Sequence, residues 1–333
     1  MSACGGDDDD AGGGATSPAA TTSSLKVGLA YDIGGRGDQS FNDSAARGLD
    51  QAKTDFGIAE DNVNELEASA GETDAQKEER LRQLAEGGYN PIIAVGFAYS
   101  GPLGTVAKDF PDTNFAIIDD AAAQGANIAN LTFAENEGSF LVGVAAAMKS
   151  EANHIGFVGG VDVPLIHKFE AGYKAGAQAV KPDITIDVTY LTQPPDFTGF
   201  NDAAKGQTAA DGMFDAGADV VYHAAGGSGG GVFTAASEAG KMAIGVDSDQ
   251  YNTADPAVRD VIITSMLKKV DTAVYDFIKS MNSGQFTAGE KVYDLAADGV
   301  GYSTSGGKID DIVPQIDEFK DKIISGEITV PTS

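Results

Sequence analysis

From Leu25 onward, short apolar runs alternate with amphipathic stretches of helical length, and the whole alternation then begins again. This pattern restricts the fold more than any other feature of the chain. A strand covered on both faces reads as a continuous apolar run, and parallel strands need a crossover of a dozen or more residues between them. Leu25–Tyr31 (LKVGLAY), Val63–Leu66, Pro91–Val95 (PIIAV) and Phe115–Ile118 (FAII) read as such strands. Between them, Ser40–Phe56 sets Ala45, Leu49, Ala52 and Phe56 at helical spacing. Asp74–Gly87 turns Leu81 and Leu84 inward, and Gly104–Phe110 is helical. The class is α/β, a doubly wound parallel sheet.

The second round runs from a helix over Phe140–Met148 through a strand at His154–Val158 (HIGFV) and a helix at Leu165–Val180. Further strands are expected at Ile184–Thr189, Val220–Ala224 and Ala243–Val246, with helices Lys205–Ala216 and Val232–Ala239 between them. A tail follows: strand Val261–Ser265, helix Val270–Ser280, strand Lys291–Leu295 and helix Asp310–Ser325. The length of 333 residues suits about two domains. We expect one lobe over 25–134 and a second over 135–264, with 265–333 shared between them.

The apolar fraction of 42% is enough for a sizeable core, and no apolar run reaches the ~18–20 residues of a membrane-spanning helix. Net charge is −28, from 22 basic and 50 acidic residues, so the chain repels phosphate backbones and nucleic acid is not an expected partner. Residues 1–24 read as a disordered tether: the run Asp7–Asp10 sits among Gly, Ala, Ser and Thr, with nothing apolar to bury. The one cysteine, Cys4, excludes an internal disulfide. Ser2-Ala3-Cys4-Gly5 resembles the end of a bacterial lipoprotein signal, with Met1 where Leu is usual. That resemblance implies a diacylated Cys4 and an anchor on the extracytoplasmic side of the cell membrane. A chance cysteine in a loose tail is the alternative.

In an open parallel sheet, ligands bind outside the carboxyl ends of the strands. Those ends carry Asp32, Asp38, Phe41 and Asn42; Gly96, Phe97 and Tyr99; Asp119 and Asp120; Gly159 and Gly160; Phe197, Phe200 and Asn201; Gly226–Gly231; and Asp247 with Asp249 and Gln250. The glycine cluster fits neither a dinucleotide fingerprint nor a phosphate loop. Gly226-x-Ser228-x-Gly230 has the form of a nucleophile elbow, but His154, His167 and His223 all precede Ser228, whereas a hydrolase of this type carries its histidine later. The same histidines lack metal-binding spacing, so no metal or cofactor is expected. Aromatic faces with carboxylates and amides at the mouths of two lobes are the inventory of a binding cleft, not of an enzyme.

Several segments together resemble the basic membrane protein (BMP) family of lipoproteins. They are Gly37-Asp38-Gln39-Ser40-Phe41-Asn42, Phe140–Met148, Ile155–Gly160 with Pro164-Leu165 and Phe169–Gly172, Phe200-Asn201-Asp202 with Lys205-Gly206, Gly245–Gln250, and Thr264–Lys268 with Val270-Asp271. The resemblance implies the type I periplasmic-binding-protein fold, two Rossmann-like lobes with a crossover hinge. It also implies a purine nucleoside such as adenosine, guanosine or inosine held between the lobes of a monomer and delivered to an ABC permease. Phe41 and Phe200 are then expected to sandwich the base, with Phe97 as a further wall. Asn42 and Asp119 would meet the base edge, and Asp38 would orient its loop. Asp247 would accept the ribose hydroxyls, Lys268 would balance its charge and donate to the same sugar, and Gly226 would admit the ribose. Phe169, at helical spacing with Tyr173, is expected in the core. A receptor for a sugar or another small metabolite on the same fold is the alternative, and a nucleoside-cleaving enzyme a more distant one.

Overall fold

The computed structural model describes Met1 and residues 23–333; Cys4 and the tether lie outside the described residues. The first lobe is built from β1 (Val27–Ala30), α1 (Phe41–Phe56), β2 (Val63–Leu66), α2 (Asp74–Glu86), β3 (Ile92–Ala94), α3 (Ser100–Asp109), β4 (Phe115–Ile118) and β5 (Ile128–Phe133). The chain then passes through α4 (Glu135–Lys149) into the second lobe. That lobe comprises β6 (His154–Val161), α5 (Pro164–Val180), β7 (Thr185–Thr192), α6 (Ala203–Asp215), β8 (Val220–Ala224), α7 (Gly229–Ala239), β9 (Met242–Asp247), the single turn α8 (Gln250–Thr253) and β10 (Ile262–Lys268). Helix α9 (Val270–Asn282), strands β11 (Gly289–Tyr293) and β12 (Val300–Tyr302) and helix α10 (Val313–Ile324) complete it.

The two sheets have the orders β11-β5-β4-β3-β1-β2 and β12-β10-β9-β8-β6-β7. They superpose position by position: β1 answers to β6, β3 to β8, β4 to β9 and β5 to β10. The five core strands of each sheet are parallel. Only the outer additions differ, β11 running parallel to β5 and β12 antiparallel to β10. Three connections pass between the lobes: α4 after β5, α9 after β10, and the segment from β11 to β12. Each of the two helices packs on the lobe it enters, α4 on α5 and α9 on α1. This is the type I periplasmic-binding-protein arrangement.

Two strands differ from the sequence expectation. β5 was not anticipated, because Asn130 and Thr132 interrupt its apolar pattern; both are buried, with Asn130 Nδ2 donating to the Ala123 carbonyl and Thr132 Oγ1 to Glu290. β12 is only three residues long. Helix α4 begins at Glu135 and not at Phe140, its polar first turn being buried against the hinge.

Candidate functional site

The loop between β1 and α1 is wound around two carboxylates. Asp38 accepts from the backbone N–H groups of Ser40, Asn42 and Asp43, and Asp43 accepts from those of Gly37 and Gln39. Five chain amides near the start of a helix would otherwise lack partners, so these short acidic side chains fix the loop as side-chain caps do. The loop presents Phe41 at the first position of α1, half-buried and facing the second lobe's strand ends.

Between the lobes lies a cavity with about 550 Å³ of space free of protein atoms, part of it open to solvent. All nine candidates face it: Asp38, Phe41, Asn42, Phe97, Asp119, Phe200, Gly226, Asp247 and Lys268. Asp32, Ile33, Leu165, Ile166, Phe169 and Val246 complete much of the wall. Phe97 of the first lobe meets two rings of the second edge-on across the gap, Phe197 at 6.0 Å and Phe200 at 6.5 Å between centroids. Asp119 ends β4 with φ +66° and Asp247 ends β9 with φ +61°. The two lobes thus hold a carboxylate in the same sparsely populated left-handed conformation at the same topological position, a strain of the kind found at ligand sites.

The ionic centre differs from the expected one. Lys268 was expected to balance Asp247, but its ammonium donates to Asp119 at 2.5 Å and lies 3.6 Å from Glu135. The reason is placement: Lys268 closes β10 and Glu135 opens α4, so both sit at crossings between the lobes. The ammonium also lies 5.0, 5.2 and 5.5 Å from the ring centres of Phe41, Phe133 and Phe169, whose faces favour a cation. Burial lowers the Lys268 pKa, but Asp119, Glu135 and Asp247 outweigh it and the net shift is upward. Asp119 Oδ1 and Glu135 Oε1 remain buried without a hydrogen-bond partner. Such atoms are costly unless a bound group satisfies them.

Asp247 accepts from Ser40 Oγ at 2.6 Å, across the cleft, and makes no helix cap. Burial raises its carboxyl to about 6 against the pull of Lys268 and Ser40. Asp32, which accepts from the Ile33 N–H, is raised to about 6 by the same cause, and Asp38 and Glu135 are raised too. Asn42 is less free than expected for a base reader. Its Oδ1 accepts from the Asp32 N–H, and its Nδ2 donates to the Ile33 carbonyl and to Asp38. Its amide therefore braces the loop.

Phe169, expected in the core, is both buried and part of the cavity wall. Asp32 could have been chosen, since it stands two residues past β1, as Asp119 stands just past β4. Glu135 was hidden by the missed strand: without β5, nothing marked the second residue past it as a strand-end position.

Comparison with known proteins agrees with this geometry. The family described as "ABC transporter substrate-binding protein PnrA-like" matches residues 25–333. The CD4+ T-cell-stimulating antigen of Listeria monocytogenes is 37% identical over 321 residues, covering 92% of this chain and 87% of that protein. The ABC transporter nucleoside-binding protein BmpA of Lactococcus lactis is 36% identical over 332 residues, covering 93% and 90%. A crystal structure of an ABC transporter solute-binding protein from Aeropyrum pernix K1 matches with a TM-score of 0.79 at 31% identity, covering 93% of this chain and 94% of that one.

Proposed function

The chain belongs to the PnrA-like (Bmp) family of ABC transporter substrate-binding proteins, and we propose that the solute it captures is a purine nucleoside. The observation that carries the proposal is the cavity's chemistry: aromatic faces from both lobes, with four lining carboxylates against one lysine. Rings stack on a planar base with about 1–3 kcal/mol each and little preference among bases. Asp247 and the unpartnered Asp119 Oδ1 suit the hydroxyls and N–H groups of a nucleoside, which is rich in donors. An anionic ligand would meet the excess of carboxylates instead. The nucleoside-binding name of the Lactococcus relative supports the same ligand class.

In this reading Phe41 and Phe200 clamp the base, with Phe97 and Phe169 closing the sides, and Gly226, at φ +54°, lets the chain approach the sugar. Lys268 holds Asp119 in place and donates to the same sugar. The lobes close on the solute as hinged bodies, and the closed form is what an ABC permease receives. Cys4 carries a diacyl anchor on the extracytoplasmic face. Among the described residues no helix is long and apolar enough to cross a membrane.

The test is mass spectrometry of the small molecule released on denaturing freshly purified protein, followed by calorimetry with inosine, adenosine and ribose. A nucleoside released, and bound far more tightly than ribose, is the expected result. A sugar released in its place overturns the reading, as does hypoxanthine accumulating during incubation with inosine.

A further inference from the structure

Beside the cavity, and outside its wall, a chain of hydrogen bonds runs from the core of the second lobe to the loop that carries Phe41. His223 ends β8's apolar run, wholly buried, and its Nε2 lies 3.0 Å from Gln250 Oε1. The same oxygen accepts from the Val246 N–H at 2.8 Å. A backbone N–H can only donate, so the amide of Gln250 has one admissible orientation, oxygen inward. Its Nε2 is thereby turned to the other lobe, where it donates to the Gln39 carbonyl at 3.2 Å. Gln39 itself stands at φ +56°, between the two carboxylates that wind its loop. Two glycines make room for the pair. A Cβ on Gly229 would stand 1.9 Å from His223 Cε1, and one on Gly245 would stand 2.7 Å from Gln250 Oε1.

We infer that Gln250 is a latch between the lobes, working beside the Ser40–Asp247 bond and the Ser248 and Thr253 hydroxyls that donate to the Ser40 and Gln39 carbonyls, and that His223 is a positioning residue whose ring helps hold the Gln250 amide in its donating orientation toward the Gln39 carbonyl. The inference rests on the reading of the chain as a receptor that closes on a nucleoside. It adds that closure is read by a group that never touches the solute. The bond is made only when the β1–α1 loop and the β9 end meet, so it slows opening and leaves entry alone. Burial lowers the pKa of His223 to about 4, so its ring stays neutral around pH 6, where Asp32 and Asp247 take up protons.

Gln250→Glu tests this. The carboxylate keeps the shape and still accepts from His223 and Val246, but it opposes the Gln39 carbonyl where the amide donated. Near neutral pH, adenosine should leave the variant about ten-fold faster than the parent, with an unchanged association rate. Gln250 is almost wholly buried, so a carboxyl in its place is raised above the ordinary value of about 4.3; its protonation restores a donor, and the ratio of the two dissociation rates should fall toward one as the pH is lowered from 7 to about 5. Asp38, Asp43, Arg47, Asp247 and Asp249 flank the same seam in both proteins, so the ratio isolates the substituted side chain. A ratio near one throughout, or one that acid does not change, overturns the latch. Small-angle scattering without adenosine reads it separately: the variant should be the more open near neutral pH and match the parent in acid. Adenosine failing to bind the parent overturns the nucleoside reading alone. Equal radii of gyration at every pH overturn the latch. A further check needs no substitution: nitrogen NMR of the parent should show His223 as its Nε2–H tautomer, and an Nδ1–H tautomer overturns its positioning role.

Discussion

At the scale of the residue, the legible part of the site was its chemistry and the illegible part its pairing. Aromatic and acidic residues just past strand ends could be picked out because a parallel sheet places all such positions along one edge. Which charge answers which could not, since Lys268 reaches Asp119 and Glu135 through the meeting of β10, β4 and α4, elements remote in sequence. Phe41 is half-buried between loop and cavity, so Phe41→Ala should cost about 1–3 kcal/mol of nucleoside affinity by calorimetry while the melting temperature stays close to that of the parent. A variant that unfolds would instead make Phe41 a core residue. Asp247 gives a pH prediction whose sign follows from its raised pKa. Its carboxyl, near 6 when folded and about 4 in an unfolded chain, takes up its proton first in the folded state. Its contribution to stability is therefore full below about pH 4 and lost as the pH rises through about 6. Asp247→Asn should remove that slope, flattening the rise in melting temperature between pH 7.5 and 5.5 by about 1 °C. An unchanged slope would mean that Asp247 is ionised in the fold throughout.

At the scale of the element, strands with uniform apolar runs were readable, and elements that mix polar groups into buried positions were not. β5 shows why: Asn130 and Thr132 are buried because other chain segments satisfy them, a fact that no periodicity carries. Helix contacts were also out of reach, yet the hinge depends on one. Helices α4 and α5 approach so closely that a Cβ on Gly176 would stand 2.0 Å from the Phe140 carbonyl oxygen, with backbone on both sides and nothing flexible to yield. Since α4 carries Glu135 at its start, this contact also sets the height of the ion cluster under the cavity. Gly176→Ala should therefore destabilise the protein by about 3 kcal/mol through overpacking, and should weaken nucleoside binding along with it. Gly212→Ala is the matched control. It lies on α6 of the same lobe with open space around its Cβ, and should stabilise by about 0.5–1 kcal/mol. Denaturant titration of the two variants separates them; similar midpoints would mean that α4 and α5 can part without strain.

At the scale of the whole molecule, the proposed nucleoside site predicts that phosphorylated ligands are rejected, and salt separates two origins for that effect. The chain carries −28 overall, a field that repels any anion approaching the cleft. The cavity adds a local excess of its own, with Asp32, Asp38, Asp119 and Asp247 on the wall against Lys268. The first effect acts through solvent over distances beyond the Debye length, which shrinks from about 10 Å at 0.1 M salt to about 3 Å at 1 M. The second acts between groups removed from solvent, where ions do not enter and screening is weak. Lys268, already claimed by Asp119 and Glu135, has little charge left to offer a phosphate. AMP should accordingly bind at least about 100-fold more weakly than adenosine, a gap of about 2.7 kcal/mol, and raising the salt from 0.1 to 1 M should recover less than about ten-fold of it. Calorimetry with both ligands at both salt concentrations decides the matter. A gap that closes in high salt would place discrimination in the surface field, and AMP bound as tightly as adenosine would remove the neutral-ligand argument altogether.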